Sequence, residues 1–288
     1  MSAHEVPSVL DAIVAAARKR VEVARERVSL AELERRLMGP AGTADRTSSG
    51  RAGSPSPASF VGALSQPGVR IIAECKRRSP SKGVLRHDYD PVAIAGQYAN
   101  AGAAAISVLT EPGFFDGHLD HLVAVHASQP DLPLLRKDFV VDEYQIVEAA
   151  VAGASAVLLI VAALDQPTLV RLLAHAAHLG LDVLTEVHDE EEARRAIDAG
   201  ARIVGVNNRD LKTLSVSIET SFRVAPLIAS ARVRVAESGL RTGEDLAALS
   251  SAGYGAFLIG ERFMTDADPG EGLARVIADA TAAVEARS

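Results

Sequence analysis

Six side chains fit for acid–base chemistry stand at the ends of short apolar runs in this chain: Glu74, Lys76, Lys137, Glu186, Asn207 and Glu237. Carboxyls and ammonium groups near one reacting centre can donate and remove protons. Glu74 and Lys76 are two residues apart, so on a strand they share a face, and Cys75 between them faces the other way. For any one of these residues a solvated ion pair at a strand end is the plainer reading. For polar groups ending six apolar runs, burial without a ligand would be costly, and a shared site is the better account. Other chemistries lack their signatures. The eight His include no pair at catalytic zinc spacing with a third ligand, and His118 and His121, three apart, read as a solvated helix face. No G-x-S-x-G elbow occurs, and Cys75 has no base beside it. No phosphate loop or dinucleotide fingerprint is present; Gly253-Tyr254-Gly255 precedes an apolar run and reads as a turn.

A repeat supplies the elements that position these residues. Ala101-Gly102, Ala152-Gly153, Ala199-Gly200 and Ala252-Gly253 each close a helical pattern and open an apolar run: Ala104 to Leu109, Ser155 to Val161, Arg202 to Val206 and Gly255 to Ile259. Glycine just past a helix end takes the left-handed conformation that stops it. The runs barely alternate, as expected of strands covered on both faces. Ile71 to Cys75, Leu134 to Arg136, Asp182 to Thr185 and Val233 to Ala236 complete eight candidate strands. Their spacing suits βα units and predicts an α/β fold, a (β/α)8 TIM barrel. Asp90 (before Pro91), Asp142, Asp165, Asp189 and Thr242 are expected helix N-caps, and Ser29 to Glu32 a capping box.

In such barrels reactive groups sit at the C-terminal strand ends, and the loops after strands seven and eight hold phosphate. Here those loops carry Ser238-Gly239 and Gly260, where backbone N–H groups can approach an anion closely. The first 60 residues stand outside the repeat. We expect an N-terminal helical extension from Ser8 and a flexible linker from Gly39 to Ser59, then a catalytic barrel over 61–288.

The net charge of −7 argues against nucleic acid or an anionic membrane as a partner. The lone Cys75 fits a reducing compartment. With no signal-peptide pattern and no run long enough to cross a bilayer, a soluble cytoplasmic protein is expected.

The motifs, taken in order, resemble those of the indole-3-glycerol phosphate synthase family. They are Ile72 to Ser81 (IAECKRRSPS), Ser107 to Pro112 (SVLTEP), Arg136 to Phe139 (RKDF), Asn207 to Leu211 (NNRDL), Ala236 to Gly239 (AESG) and Leu258 to Gly260 (LIG). The resemblance covers about Ile71 to Met264 and implies a substrate, 1-(2-carboxyphenylamino)-1-deoxyribulose 5-phosphate, and no metal or cofactor. It implies Lys137 as general acid for ring closure, with neighbouring cations lowering its pKa. It implies Glu186 as the dehydration base, and Lys76, placed by Glu74, against the carboxylate. Asn207 and Glu237 would hold ribulose hydroxyls, and Arg209 would support the carboxylate network. Phosphate would rest on Ser238, Gly239, Gly260 and Glu261, helped by Arg78, with Ser79 alongside. The aromatic ring would pack on Pro80, Phe115, Phe139, Leu158 and Leu211. Glu261 stands where a small residue is common, so only its backbone N–H is expected to serve. Association with other tryptophan-pathway enzymes is a further expectation. Two readings compete: a phosphate-binding barrel using a Schiff-base lysine, and a non-catalytic barrel serving as a ligand-binding or assembly subunit.

Overall fold

The computed structural model describes residues 9–38, 59–211 and 213–287. The flexible linker expected at 39–59 lies outside them, except for Ser59. Eight strands form one closed ring: β1 (Arg70–Cys75), β2 (Ala105–Leu109), β3 (Leu134–Lys137), β4 (Ala156–Ile160), β5 (Asp182–Val187), β6 (Ile203–Asn207), β7 (Val233–Glu237) and β8 (Ala256–Ile259). Each pairs in parallel with its neighbours in sequence, and β8 closes on β1 with Ile72 opposite Leu258. All eight predicted strands are present, within one or two residues at each end.

Alternation along these strands makes two core layers. Ile72, Leu135, Leu158, Leu184, Val235 and Leu258 fill the barrel. Ile71, Ile106, Val157, Val204 and Phe257 face the surrounding helices. Cys75 falls in the outer layer, as the spacing predicts, and burial pushes its thiol far up, so it is inert at neutral pH.

The Ala-Gly repeat has one geometry throughout. Gly102, Gly153, Gly200 and Gly253 have φ of 88°, 91°, 83° and 94°. At the first, Gly102 N–H donates to Ala99 O and Ala103 N–H to Tyr98 O, and the other three repeat this pair. This is the Schellman ending, and the next residues enter a strand. The five expected N-caps all accept backbone N–H groups, with a full capping box at Thr242 and Asp245. At Ser29 only half the box forms: Glu32 N–H donates to Ser29 Oγ, while the Glu32 carboxylate turns to Arg35 and Arg36. His118 is not on a helix face. It caps the helix Leu119–Ser128, and His121 is half-buried edge-on against Tyr89.

Of the three N-terminal helices, two cover the mouths of the barrel. The five-residue helix α3 (Phe60–Leu64) plugs the N-terminal one. Phe60, Val61 and Leu64 join the inner core, and Val61 N–H donates to the Asp182 carboxylate at 2.8 Å. At the opposite mouth, α1 (Val9–Arg27) buries Ile13, Ala17 and Val21. Its Arg20 reaches two buried carboxylates beyond β2 and β3, Glu111 at 2.9 Å and Asp138 at 3.1 Å. Behind it, α2 (Leu30–Met38) packs Leu33 near Tyr144 and Val147, and the Tyr144 hydroxyl donates to the carbonyls of Ala24 and Val28.

Candidate active site

The C-terminal mouth holds a cavity of about 680 Å³. Strand pleating decides its lining. Glu74, Lys137, Glu186, Asn207 and Glu237 each sit at the inward-facing end of a strand, and Lys76 continues the face of Glu74.

These groups form one charged network. Lys76 Nζ lies 2.7 Å from Glu74 Oε1. Lys137 Nζ lies 3.2 Å from Glu186 Oε2 and 3.5 Å from Glu237 Oε2. Asn207 Nδ2 donates to Glu186 Oε1 at 3.2 Å. Two glycines, Gly205 on β6 and Gly260 just past the end of β8, make room for the carboxyls. A Cβ on Gly205 would stand 2.2 Å from Glu237 Oε1, and one on Gly260 would stand 2.6 Å from Glu74 Oε1. A side chain at either position would displace the carboxyl it meets.

The electrostatics differ from the expectation for Lys137. Burial favours its neutral form, but the carboxylates of Glu186, Glu237 and Glu74 outweigh burial and drive its pKa far up. Its neighbours are carboxyl groups, not cations, so it remains an ammonium ion. For Glu186, burial opposes ionisation, yet Lys137, His188 and Asn207 hold its carboxyl well below the usual range. For Glu237, burial and the nearby Glu186 charge prevail over Lys137, and its pKa rises to about 8. One carboxyl of the set is therefore protonated at neutral pH and another is firmly ionised. For Glu74, burial opposes ionisation but Lys76 and Lys137 prevail, and its pKa falls.

The rest of the cavity divides into an apolar end and a polar end. Phe115 and Phe139 lie with ring centres 6.3 Å apart and join Pro80, Leu158 and Leu211 in the lining. At the other end, Ser238 and Gly239 are successive left-handed residues, with φ of 64° and 74°. Ser pays strain for that conformation, which is characteristic of functional turns. Asn208 Nδ2 holds the turn through the Ser238 carbonyl at 3.1 Å. Ser79, Arg209, Gly260 and Glu261 complete this end.

One expectation needs correction. Arg78 does not line the cavity. It lies on a two-residue antiparallel ribbon, Arg78–Ser79 with Gly83–Val84, where Ser79 is buried and Arg78 points outward, 3.6 Å from Asp116. The Glu261 carboxylate is paired with cations: Lys82 Nζ approaches it to 2.8 Å and Arg209 to 3.5 Å. These cations offset the charge that would otherwise repel an anion here.

The sequence reading also missed residues. His188 lies 3.2 Å from Glu186 Oε1 through Nε2 and 3.0 Å from Glu192 Oε2 through Nδ1. Burial would keep the ring neutral, but Glu186 and Glu192 raise its pKa to about 10. The signal was the alternation Glu186-Val187-His188, which puts both polar residues on one face. Lys82 follows the first-strand motif but carried no signal that it would cross to Glu261.

Comparison with known proteins adds a family. A family model described as indole-3-glycerol phosphate synthase matches residues 10–276. A protein of that name from Roseiflexus sp. (strain RS-1) is 46% identical over 258 residues, covering 87% of this chain and 91% of its own. Another, from Streptomyces griseus subsp. griseus, is 48% identical over 271 residues, covering 94% and 95%. Among solved structures, mandelate oxidase with (S)-2-phenylpropionate aligns with a TM-score of 0.58 at 19% identity, over 75% of this chain and 73% of that one. A 3-hexulose-6-phosphate synthase aligns at 0.54 and 17%, over 72% and 99%. At such identities these two bear on the barrel fold alone.

Proposed function

The chain belongs to the indole-3-glycerol phosphate synthase family, and on that premise we propose how its residues divide the reaction. The activity is that of a carboxy-lyase of tryptophan biosynthesis acting on a small phosphorylated substrate. In 1-(2-carboxyphenylamino)-1-deoxyribulose 5-phosphate, the ring carbon bearing the carboxylate attacks the ribulose carbonyl. Carbon dioxide then leaves, followed by water, giving indole-3-glycerol phosphate.

Lys137 faces the carbonyl that becomes an alkoxide. Its ammonium, fixed among carboxylates, stabilises that developing charge and donates the proton. Its raised pKa also leaves little neutral amine, which disfavours the Schiff-base alternative. Glu186, ionised and 3.2 Å from Lys137, is the base that removes the proton during dehydration. Lys76, held by Glu74, neutralises the substrate carboxylate until it departs. Asn207 and the protonated Glu237 bind ribulose hydroxyls, and Arg209 supports the carboxylate side. The phosphate rests at Ser238, Gly239, Gly260 and the Glu261 backbone. The aromatic ring packs on Pro80, Phe115, Phe139, Leu158 and Leu211. Within the extension of residues 1–60, α1 serves as a cover for the barrel of 61–288, a role supported by the cavity contacts of Val9, Leu10 and Ile13. No described helix is long and apolar enough to cross a membrane, which is consistent with the cytoplasmic site we assign. Association with other enzymes of the pathway is proposed on the family's pattern alone.

The observation that carries this reading is the meeting of Lys137, Glu186 and Glu237 within 3.5 Å at the head of one cavity. The test is Lys137→Ala supplied with the carboxyphenylamino substrate while indole fluorescence is followed. Turnover should fall by about 10²- to 10⁴-fold with the circular dichroism spectrum retained. Turnover within a few-fold of wild type would remove Lys137 as the acid.

A further inference from the structure

His188 is a buried ionisable group for which the reaction scheme above has no task. It follows β5, two residues beyond Glu186, and its side chain is only 9% exposed. Its ring is fixed from outside the barrel. Asp189 caps the helix Glu190–Asp198 by accepting Glu192 N–H, which sets Glu192 in the first turn. Glu192 Oε2 then accepts the His188 backbone N–H at 2.8 Å and stands 3.0 Å from Nδ1. A proton on Nδ1 is thereby specified, and Nε2 lies 3.2 Å from Glu186 Oε1 in an ion-pair contact whose geometry is not that of a hydrogen bond.

The two oxygens of Glu186 thus have separate partners. Oε2 faces Lys137, and Oε1 is shared by Asn207 and His188. We propose that His188, clamped by Glu192, is a positioning residue that pins Glu186 Oε1 so that Oε2 stays turned toward Lys137 and the substrate. This rests on the reading of Glu186 as the dehydration base. Glu186 is faced by Lys137, Glu237 and Glu74 from the other strands, and His188 by Glu186 and Glu192. With its pKa raised to about 10, His188 is a standing cation. The set then carries three cations, Lys76, Lys137 and His188, against three anions, Glu74, Glu186 and Glu192, with Glu237 protonated. Without His188, the pull of Lys137 on Glu186 is opposed only by the Asn207 amide, and the carboxylate can close on the ammonium as a bidentate pair.

The test is a kinetic cycle of His188→Gln and Glu186→Gln in the full chain, measured with the carboxyphenylamino-deoxyribulose phosphate. His188→Gln should lower kcat about tenfold or more while KM moves less than about threefold, the pattern of a lost contribution to the transition state rather than to binding. In the Glu186→Gln background the same change should cost less than about twofold, because the residue acts through a carboxylate already removed. A loss that persists in full in that background, or an unchanged kcat in the single variant, overturns the proposal. Near-normal turnover in Glu186→Gln alone defeats the assignment of Glu186 as base and this inference with it. A slow Glu186→Gln with an additive cycle defeats only the role of His188. If His188→Gln does not fold, Glu192→Gln replaces it: a smaller loss that vanishes in the Glu186→Gln background is expected, and an additive loss overturns the proposal.

Discussion

The substitution Gly205→Ala separates packing from chemistry. The new methyl carbon would stand 2.2 Å from Glu237 Oε1 and 3.0 Å from Leu184 Cδ1. A carbon–oxygen contact settles near about 3.3 Å, so the carboxyl must retreat by about 1 Å. Its Oε1 has no hydrogen-bond partner among the described residues, so the retreat breaks no bond there. Crowding of this sort destabilises by about 1 kcal/mol at the low end of overpacking. Replacing Gly by Ala also reduces the freedom of the unfolded chain, which returns about 0.4–1 kcal/mol. The melting temperature should therefore change by no more than about 3 °C. Catalysis has no such compensation. The displaced carboxyl moves off its 3.5 Å approach to Lys137, and a misplacement of about 1 Å in a catalytic group can lower turnover about 100-fold. Thermal unfolding and steady-state indole formation, measured on the same preparation, decide the matter. A variant with normal melting and normal kcat would show that the position of Glu237 is not tied to the reaction. A large fall in melting temperature would show that the carboxyl cannot retreat.

Two further outcomes follow from the same geometry. Glu237 has its folded-state pKa raised to about 8, above the ordinary carboxylate value near 4.5, so its protonated form stabilises the fold at acid pH, and that contribution is lost as pH rises from about 4.5 through 8. Glu237→Gln should remove this decline, so that the stability of the variant relative to wild type climbs across that window in urea titrations at stepped pH; a constant difference would refute the raised pKa. Arg20→Ala withdraws α1's contacts with Glu111 and Asp138, but both keep other donors: Gly113 and Phe114 N–H for Glu111, Thr110 and Arg136 for Asp138. It should destabilise by about 1–2 kcal/mol and raise KM more than it lowers kcat; unchanged KM would mean that α1 does not shape the occupied cavity.

The parts of the structure legible in the sequence are those set by local rules. The Ala-Gly endings report a helix stop and a strand start within three residues, which is why four strands could be placed by one repeat. Glu74 and Lys76 could be paired because a strand has a period of two. The inward set followed because a closed parallel barrel brings all C-terminal strand ends together. What escaped depends on distant or very short elements. The α3 plug has five residues, too few to show a helical period. The outward turn of Arg78 comes from a two-residue ribbon whose pairing with Gly83–Val84 has no signature of its own. The environment of Lys137 escaped for a different reason. The identities of its neighbours were available, but the sign of its pKa shift depends on which of them approach within 4 Å, and only the closed ring settles that.

Crowding is the central physical problem of this mouth, and it is solved by one glycine within a strand and one just past a strand end. Glu74, Glu186 and Glu237 are all nearly fully buried, and carboxylates so placed repel one another unless cations lie between them. Lys76 and Lys137 stand between them, yet long side chains need volume that a small barrel lacks. Gly205 and Gly260 provide it at the points where Glu237 and Glu74 pass the adjacent strand. The arrangement differentiates chemically similar groups. Three carboxyls with one intrinsic pKa become an ionised base at Glu186, a proton-bearing group at Glu237 and a counter-ion for lysine at Glu74. Position relative to two ammonium groups makes the difference, and each glycine holds one carboxyl in its assigned position. Loss of either glycine should therefore blur the roles of neighbouring carboxyls before it affects the fold.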